Sequence, residues 1–150
     1  MRYTIENTFG AEIKRGFASR AYLYAEGENA FCLQNKFAGF GKKFLLTNVS
    51  GESVAVLRRG VFPFLSKWRI QSEGSTLTLK WKGKMTLDVY FAENGWRVES
   101  VPKTNERTYV VKDGEEEIAS LVYGKKEVRV ETDSFLALLM LLAVSICADW

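Results

Sequence analysis

The sequence contains no histidine and only two cysteines among its 150 residues. Histidine is the side chain that most often transfers protons near neutral pH, and it is also the commonest metal ligand. Cys32 and Cys147 are too few for a disulfide framework, so we interpret both as reduced thiols. No catalytic, metal-binding or cofactor-binding motif is present elsewhere in the chain. The sequence therefore predicts a protein without enzymatic activity, bound metal or cofactor.

The chain also lacks a linker, an internal repeat and a low-complexity stretch. Its composition, 47% hydrophobic and 26% charged, is that of a globular protein, and its length suits one domain. We expect a single domain over residues 1–150. Residues 1–8 contain no apolar run of the kind found in secretory signals, so the expected location is the cytoplasm.

Positive charge is concentrated in the middle of the chain, although the formal net charge of the whole sequence is only +3. From Lys36 to Lys84 there are ten basic residues and two acidic ones. Residues 85–150 reverse this balance, with seven basic and twelve acidic residues. If sequence neighbours form neighbouring hairpins, the molecule has one basic flank and one acidic flank.

Apolar and polar residues alternate along most of the chain, in short runs separated by turn-forming residues. This period of two, with turn signals at intervals of about ten residues, predicts roughly a dozen antiparallel strands. The dipeptides Glu26-Gly27 and Glu73-Gly74 suit two-residue hairpin loops. The predicted strands cover residues 2–5, 21–25, 30–34, 43–47, 53–58, 67–71, 77–81, 86–91, 96–101, 108–111, 117–122 and 127–131.

The alternation stops at residues 135–148, where strong helix formers predict a helix with Asp133 or Ser134 as its N-cap. A helix that is apolar on all sides must be buried in a protein core or in a membrane. This helix is about 21 Å long, shorter than the roughly 30 Å hydrocarbon layer of a bilayer. Its flanks are acidic, so we favour a core helix over a membrane anchor and expect no transmembrane segment. The residues of this helix that we expect to lie in the protein core are Phe135, Leu136, Leu138, Leu139, Leu141, Leu142, Val144 and Ile146.

A helix buried on every side needs a surface that surrounds it, and among β architectures a closed barrel supplies one. The sequence therefore predicts a mainly β fold. Specifically, we expect a closed antiparallel β-barrel of about twelve strands around a central hydrophobic C-terminal α-helix.

Several segments carry a resemblance to a known family: MRYTI at residues 1–5, NAFCLQNKFAGFGKKFLL at 29–46, SGESVAVL at 50–57, and the closing helix that ends in Ala148-Asp149. In their order and spacing they resemble the tubby C-terminal-like superfamily, and within it the LURP-one-related proteins and their small YxjI-like bacterial relatives. The resemblance covers essentially the full chain and implies a twelve-stranded barrel threaded by the last helix. It also implies a phosphoinositide-binding or membrane-associated role. The cysteine cluster and the acidic calcium segment of scramblase-like members are missing, so neither lipidation nor calcium binding is expected.

Around the Glu73-Gly74 turn, basic residues alternate with large apolar ones, which places the basic side chains on the outer face. A two-residue turn sets Lys67 opposite Lys80, an unfavourable like-charge pair unless an anion lies between them. A solvated strand face that resists aggregation explains the same pattern without any ligand. The candidate anion- or lipid-binding residues are Lys67, Arg69, Lys80, Lys82 and Lys84, with Lys42, Lys43, Arg58 and Arg59 as extensions of the same patch.

These features predict a non-catalytic binding module that associates with anionic phospholipid or phosphoinositide-like headgroups, peripherally at the inner membrane face. An acidic protein partner would suit the same basic flank. Nucleic acid is disfavoured, because Trp68 and Trp81 point inward and leave no outward aromatic for base stacking. Two alternatives have no lipid role: a carrier of a small hydrophobic ligand, which needs an interior cavity, and a protein-interaction adaptor.

Overall fold

The computed structural model describes residues 1–6, 20–37, 42–59, 67–81, 89–101, 105–124 and 127–147. These parts of the chain form antiparallel strands followed by one helix, which confirms the predicted mainly β fold with a C-terminal helix. The elements are β1 (Arg2–Glu6), β2 (Arg20–Ala25), β3 (Glu28–Phe37), β4 (Lys42–Asn48), β5 (Ser53–Arg59), β6 (Lys67–Ser72), β7 (Ser75–Trp81), β8 (Val89–Ala92), β9 (Arg97–Ser100), β10 (Thr108–Asp113), β11 (Glu116–Tyr123), β12 (Glu127–Thr132) and α1 (Phe135–Cys147).

The strands follow one another around a barrel in sequence order. From β2 to β12, each strand pairs with the next, and β1 lies between β12 and β2. Five residue pairs join β1 to β12, from Arg2 opposite Glu131 to Glu6 opposite Glu127. Only two pairs join β1 to β2. We call this short junction the seam, and among the described strands it has the fewest paired residues.

Two hairpin turns have the backbone geometry that the sequence predicts. Glu26 and Gly27 have φ angles of 51° and 87°, and Glu73 and Gly74 have φ angles of 52° and 76°. Positive φ at both central residues is the mark of a type I′ turn, whose twist matches that of the flanking strands. The register of β6 and β7 places Lys67 opposite Lys80, so the predicted like-charge pairing is confirmed.

Because the strands are antiparallel and sequential, the barrel has two different ends. The turns that join β2–β3, β4–β5, β6–β7, β8–β9 and β10–β11 all lie at one end, which we call the turn end. The helix α1 follows β12 and therefore begins at the turn end. Its C-terminus points toward the opposite end, which we call the far end.

Helix α1 is buried inside the barrel. Ser134 is its N-cap, because the Ser134 hydroxyl accepts a hydrogen bond from the Ala137 N–H at 3.2 Å. Every residue from Ala137 to Ser145 is fully buried, and the Ser145 hydroxyl donates to the Leu142 carbonyl at 2.8 Å. The prediction of a core helix is thus confirmed over this range. The side chain of Ile146 falls outside the described residues.

The first turn of α1 differs from the expectation. Phe135 and Leu136 were expected to lie in the core, but both are only partly buried, because they lie where the helix enters the barrel. Within the described parts of the chain, no helix has the combined length and hydropathy that crossing a bilayer requires.

The inner face of the barrel packs large side chains around α1. Trp68 is fully buried, and its ring centroid lies 6.0 Å from that of Phe44. The inward orientation of Trp68 is therefore confirmed, whereas the side chain of Trp81 falls outside the described residues. The other large side chains that are fully buried on the strands are Ile5, Leu23, Leu33, Leu46, Leu57, Ile70, Leu79 and Leu121.

Truncating α1 tests whether the stability of the barrel depends on it. Leu139→Ala should lower the free energy of unfolding by about 2–5 kcal/mol, because it leaves a cavity in a fully enclosed site. Leu45→Ala, on the half-buried outer face of β4, is the matched control and should lower it by about 1 kcal/mol or less. Urea unfolding followed by circular dichroism measures both values. Equal losses for the two variants would contradict a core built around α1.

The type I′ turn at Glu73-Gly74 offers a stabilising substitution. Glutamate is strained at positive φ, whereas asparagine is favoured at the first central position of such a turn. Glu73→Asn should therefore raise the free energy of unfolding by about 0.5–1 kcal/mol in the same urea experiment. Glu115→Asn is the control, since Glu115 does not have a positive φ and should gain nothing. A loss of stability in Glu73→Asn would argue against the turn type.

Candidate anion-binding wall

One row across the outer face of the barrel consists of basic residues on four successive strands. Lys36 on β3 lies opposite Lys43 on β4, and Lys43 lies opposite Arg58 on β5. Arg58 in turn lies opposite Arg69 on β6. Neighbouring strands are about 4.8 Å apart, so the four residues span about 14 Å. We call Lys36, Lys43, Arg58 and Arg69 the basic row.

The residues of the basic row point outward because their neighbours along each strand point inward. Phe44, Leu57 and Ile70 are buried, and each directly follows or precedes a member of the row. Arg58 and Arg69 are exposed, whereas Lys36 and Lys43 are half-buried. The row therefore presents its charges to solvent on the wall of the barrel formed by β3–β6.

A second like-charge pair extends this wall toward the far end. Lys67 and Lys80 lie opposite each other, two residues beyond Arg69 along β6, which is a distance of about 7 Å. Lys80 is exposed, and the side chain of Lys67 falls outside the described residues. The basic row and the Lys67–Lys80 pair together form what we call the basic wall.

The basic row is bounded by an acidic residue. Thr78 on β7 lies opposite Arg69, and the carboxylate of Glu93 accepts a hydrogen bond from the Thr78 N–H. The hydrogen bonds from Thr78 lower the pKa of the Glu93 carboxyl, so it is ionised at neutral pH. The continuous positive surface therefore ends at β7.

On β9 and β10, oppositely charged side chains form ion pairs with each other. Glu99 on β9 bonds to Arg97 and also lies 3.5 Å from the Lys112 ammonium. Burial alone would raise the pKa of the Glu99 carboxyl, but the hydrogen bond and charge of Arg97, together with Lys112, lower it. Among the described residues, by contrast, none of the ion pairs involves a member of the basic row. The wall is thus a local excess of positive charge.

The structure separates some of the residues that the sequence grouped together. Arg59 shares the inward-facing register of Leu57 and is half-buried, opposite Trp68 and Lys42, so it does not belong to the outer wall. Neighbouring residues of a strand point to opposite faces, so Arg59 lies on a different face from Arg58, and its predicted role in binding stays a prediction. Lys42 has the same register as Arg59, and its side chain falls outside the described residues, as do Lys82 and Lys84.

Lys36 belongs to the basic row although it was absent from the predicted site. The pairing of β3 with β4 brings Lys36 opposite Lys43, across a connection of four residues at 38–41. Lys36 is the first of the ten basic residues in the basic segment, but the sequence does not specify how β3 and β4 align. A search for like-charged residues at equal distances from each hairpin connection would have found it.

The strands β8–β12 and their connections, which carry most of the described acidic residues, are neighbours in the sheet, as the sequence predicts for an acidic flank, and further glutamates lie in the turns of the turn end. Each of the five turns at the turn end contains a glutamate, whereas the basic wall lies toward the far end of β3–β7. In an antiparallel meander every second connection returns to the same end, so turn residues from the whole chain gather there. The turn end therefore carries a concentration of glutamates, and the basic wall lies farther along the strands. The glutamates are Glu26, Glu52, Glu73, Glu93 and Glu115.

The described residues give no sign of metal chemistry in this region. Cys32 is a free thiol on β3, and burial raises its pKa although Arg20 acts in the opposite direction. Within the described ranges, no group of three His, Cys, Asp or Glu residues is arranged to hold a metal ion. No protein-family model, curated protein or solved structure matches the chain.

Repulsion among the charges of the basic row should lower the free energy of unfolding, and a charge reversal in the row measures this effect. Arg58→Glu places a carboxylate between Lys43 and Arg69, replacing two like-charge neighbours by two opposite-charge ones. We expect the free energy of unfolding to rise by about 0.5–1 kcal/mol at low salt and the gain to shrink at high salt. Arg58→Gln should give an intermediate gain. A destabilised Arg58→Glu variant would show that the row is not under electrostatic strain.

Proposed function

We propose that the chain is a non-catalytic binding module whose basic wall associates with the anionic headgroups of phospholipids, including phosphoinositide-like headgroups. The observation that carries this proposal is the basic row, in which like charges occupy directly opposed positions on four neighbouring strands. Like charges in such positions destabilise a sheet, whereas an anion lying across them would bind several cations at once.

The strength of the proposed association follows from the number of cations on the outer face. Each Lys or Arg close to an anionic membrane surface contributes about 1 kcal/mol. Lys36, Lys43, Arg58, Arg69 and Lys80 would together contribute about 5 kcal/mol, which corresponds to a Kd of roughly 0.2 mM. An association of this strength is reversible and is weakened by salt. It suits a peripheral protein of the cytoplasmic membrane face, which is the location we propose.

The buried helix favours the outer wall over the barrel interior as the binding surface. A carrier of a small hydrophobic ligand holds its cargo inside the barrel, but α1 fills this space with fully buried side chains. We also infer that the barrel is closed by hydrogen bonds across the seam. The order of its elements supports the proposed relationship to the tubby C-terminal-like superfamily and its LURP-one-related members.

Co-sedimentation with liposomes tests the proposed function. We expect no binding to neutral phosphatidylcholine vesicles, and binding to vesicles that also contain phosphatidylserine or a phosphoinositide. Binding should weaken as salt increases from low to physiological concentration. Arg58→Gln/Arg69→Gln, which removes two charges from the row, should weaken binding at least about tenfold.

The matched control removes two positive charges elsewhere. Arg2→Gln/Arg129→Gln has the same net charge as the first variant, but neither residue belongs to the basic wall. It should retain most of the binding. Equal losses in the two variants would mean that only net charge matters. Failure of the wild-type protein to bind acidic vesicles at low salt would overturn the lipid proposal and leave an acidic protein as the partner to test.

A further inference from the structure

The turn end of the barrel has an incompletely covered apolar opening, where α1 enters. The ring centroids of Phe31 and Phe135 are 5.5 Å apart, and those of Tyr3 and Phe31 are 6.2 Å apart. Leu136 and Trp96 also pack against the core here and remain partly exposed. We call these five residues and Leu77, which has the same environment on β7, the mouth.

The mouth is surrounded by acidic residues. Each of the five turns at this end contains a glutamate, and none of these turns contains a lysine or arginine. Asp133, immediately before the N-cap of α1, is paired with the Met1 ammonium at 2.7 Å and so adds no net charge to the rim. Glu26, Glu52 and Glu73 are exposed, and none of the ion pairs within the described residues involves them. The opening thus combines an apolar floor with a negative rim.

A cavity adjoins this rim on the outer side of the seam. It has a volume of about 430 Å³ and lies between the turn of Glu26 and the end of β12. Two carboxylates, Glu26 and Glu131, line it together with Met1, Arg2, Thr4 and Gly27. With Arg2 in its lining, the cavity carries two carboxylates and one guanidinium beside the mouth.

We propose that the mouth is a docking site for a cationic amphipathic segment of a partner protein. Apolar side chains of the segment pack on the aromatic floor, and its lysine and arginine side chains reach the surrounding glutamates. Electrostatic complementarity selects a basic partner and repels an acidic one. The proposal does not depend on lipid binding, because the mouth and the basic wall share no residue.

A synthetic amphipathic helix made of leucine and lysine is a direct probe. Its fluorescein-labelled form should bind the full chain in an anisotropy titration that saturates below about 100 μM at physiological salt. Glu26→Asn/Glu73→Asn should weaken this binding by about tenfold. Both substitutions introduce asparagine, the residue that the first central position of a type I′ turn prefers, so the fold is retained while the charge is lost.

Two controls separate docking at the mouth from general charge attraction. Glu106→Gln/Glu127→Gln removes two carboxylates at the far end, one of them paired with Arg129, and should change the affinity less than twofold, as expected for charges distant from the mouth. A peptide with serine in place of leucine keeps the charge but should lose most of the affinity. Equal weakening by the two double variants, or equal binding of the two peptides, would overturn the proposal.

A second copy of this chain is the competing occupant. Sedimentation equilibrium of the wild-type protein should show a monomer over the concentrations used for the titration. A dimer that dissociates in Glu26→Asn/Glu73→Asn would instead assign the mouth to self-association and overturn the proposal of a basic partner. Neither result affects the liposome experiment, which depends on the opposite end of the strands.

Discussion

Burial of one wholly apolar helix is the constraint on which the structure depends. Helix α1 has no polar face to expose, so the sheet has to enclose it rather than cover it from one side. The twelve strands that the structure describes follow one another in sequence order around this helix. The same order places alternate connections at opposite ends, and this arrangement gives the molecule an acidic turn end and a basic wall toward the far end.

Because α1 fills the interior, most charged side chains of the described strands lie on the outer wall and at the ends. Inward positions on these strands contribute mainly apolar side chains to the core, and Arg59 is a charged residue that has an inward register. On β5, for example, Leu57 contacts the core while Arg58 presents its guanidinium to solvent. One residue of shift along the strand would exchange these roles. Packing in the core therefore fixes the geometry of the basic row.

The sequence predicted the features that depend on local patterns. The alternating residues of β6 and β7, with a two-residue turn, were sufficient to place Lys67 opposite Lys80. The apolar composition of α1 was sufficient to predict its burial, apart from the entry positions Phe135 and Leu136.

Features that depend on register between strands with longer connections were not predictable. The alignment of Lys36 with Lys43 requires the pairing of β3 and β4, which no turn motif specifies. Arg58 and Arg59 are adjacent in the sequence, and the alternation observed on β5 places them on opposite faces of the sheet. The gathering of glutamates at one end likewise depends on the order and direction of all the described strands.

The seam has a consequence for the order of folding. Strand β1 pairs with β12, and α1 comes after β12, so the helix is the last part of the described chain to be synthesised. A complete ring would have to admit a finished helix through one of its ends. A junction with two residue pairs can instead stay open until the helix is in place, and then close with a small loss of chain entropy. The strands would then assemble around the helix, and the helix would not have to enter a barrel that had already closed.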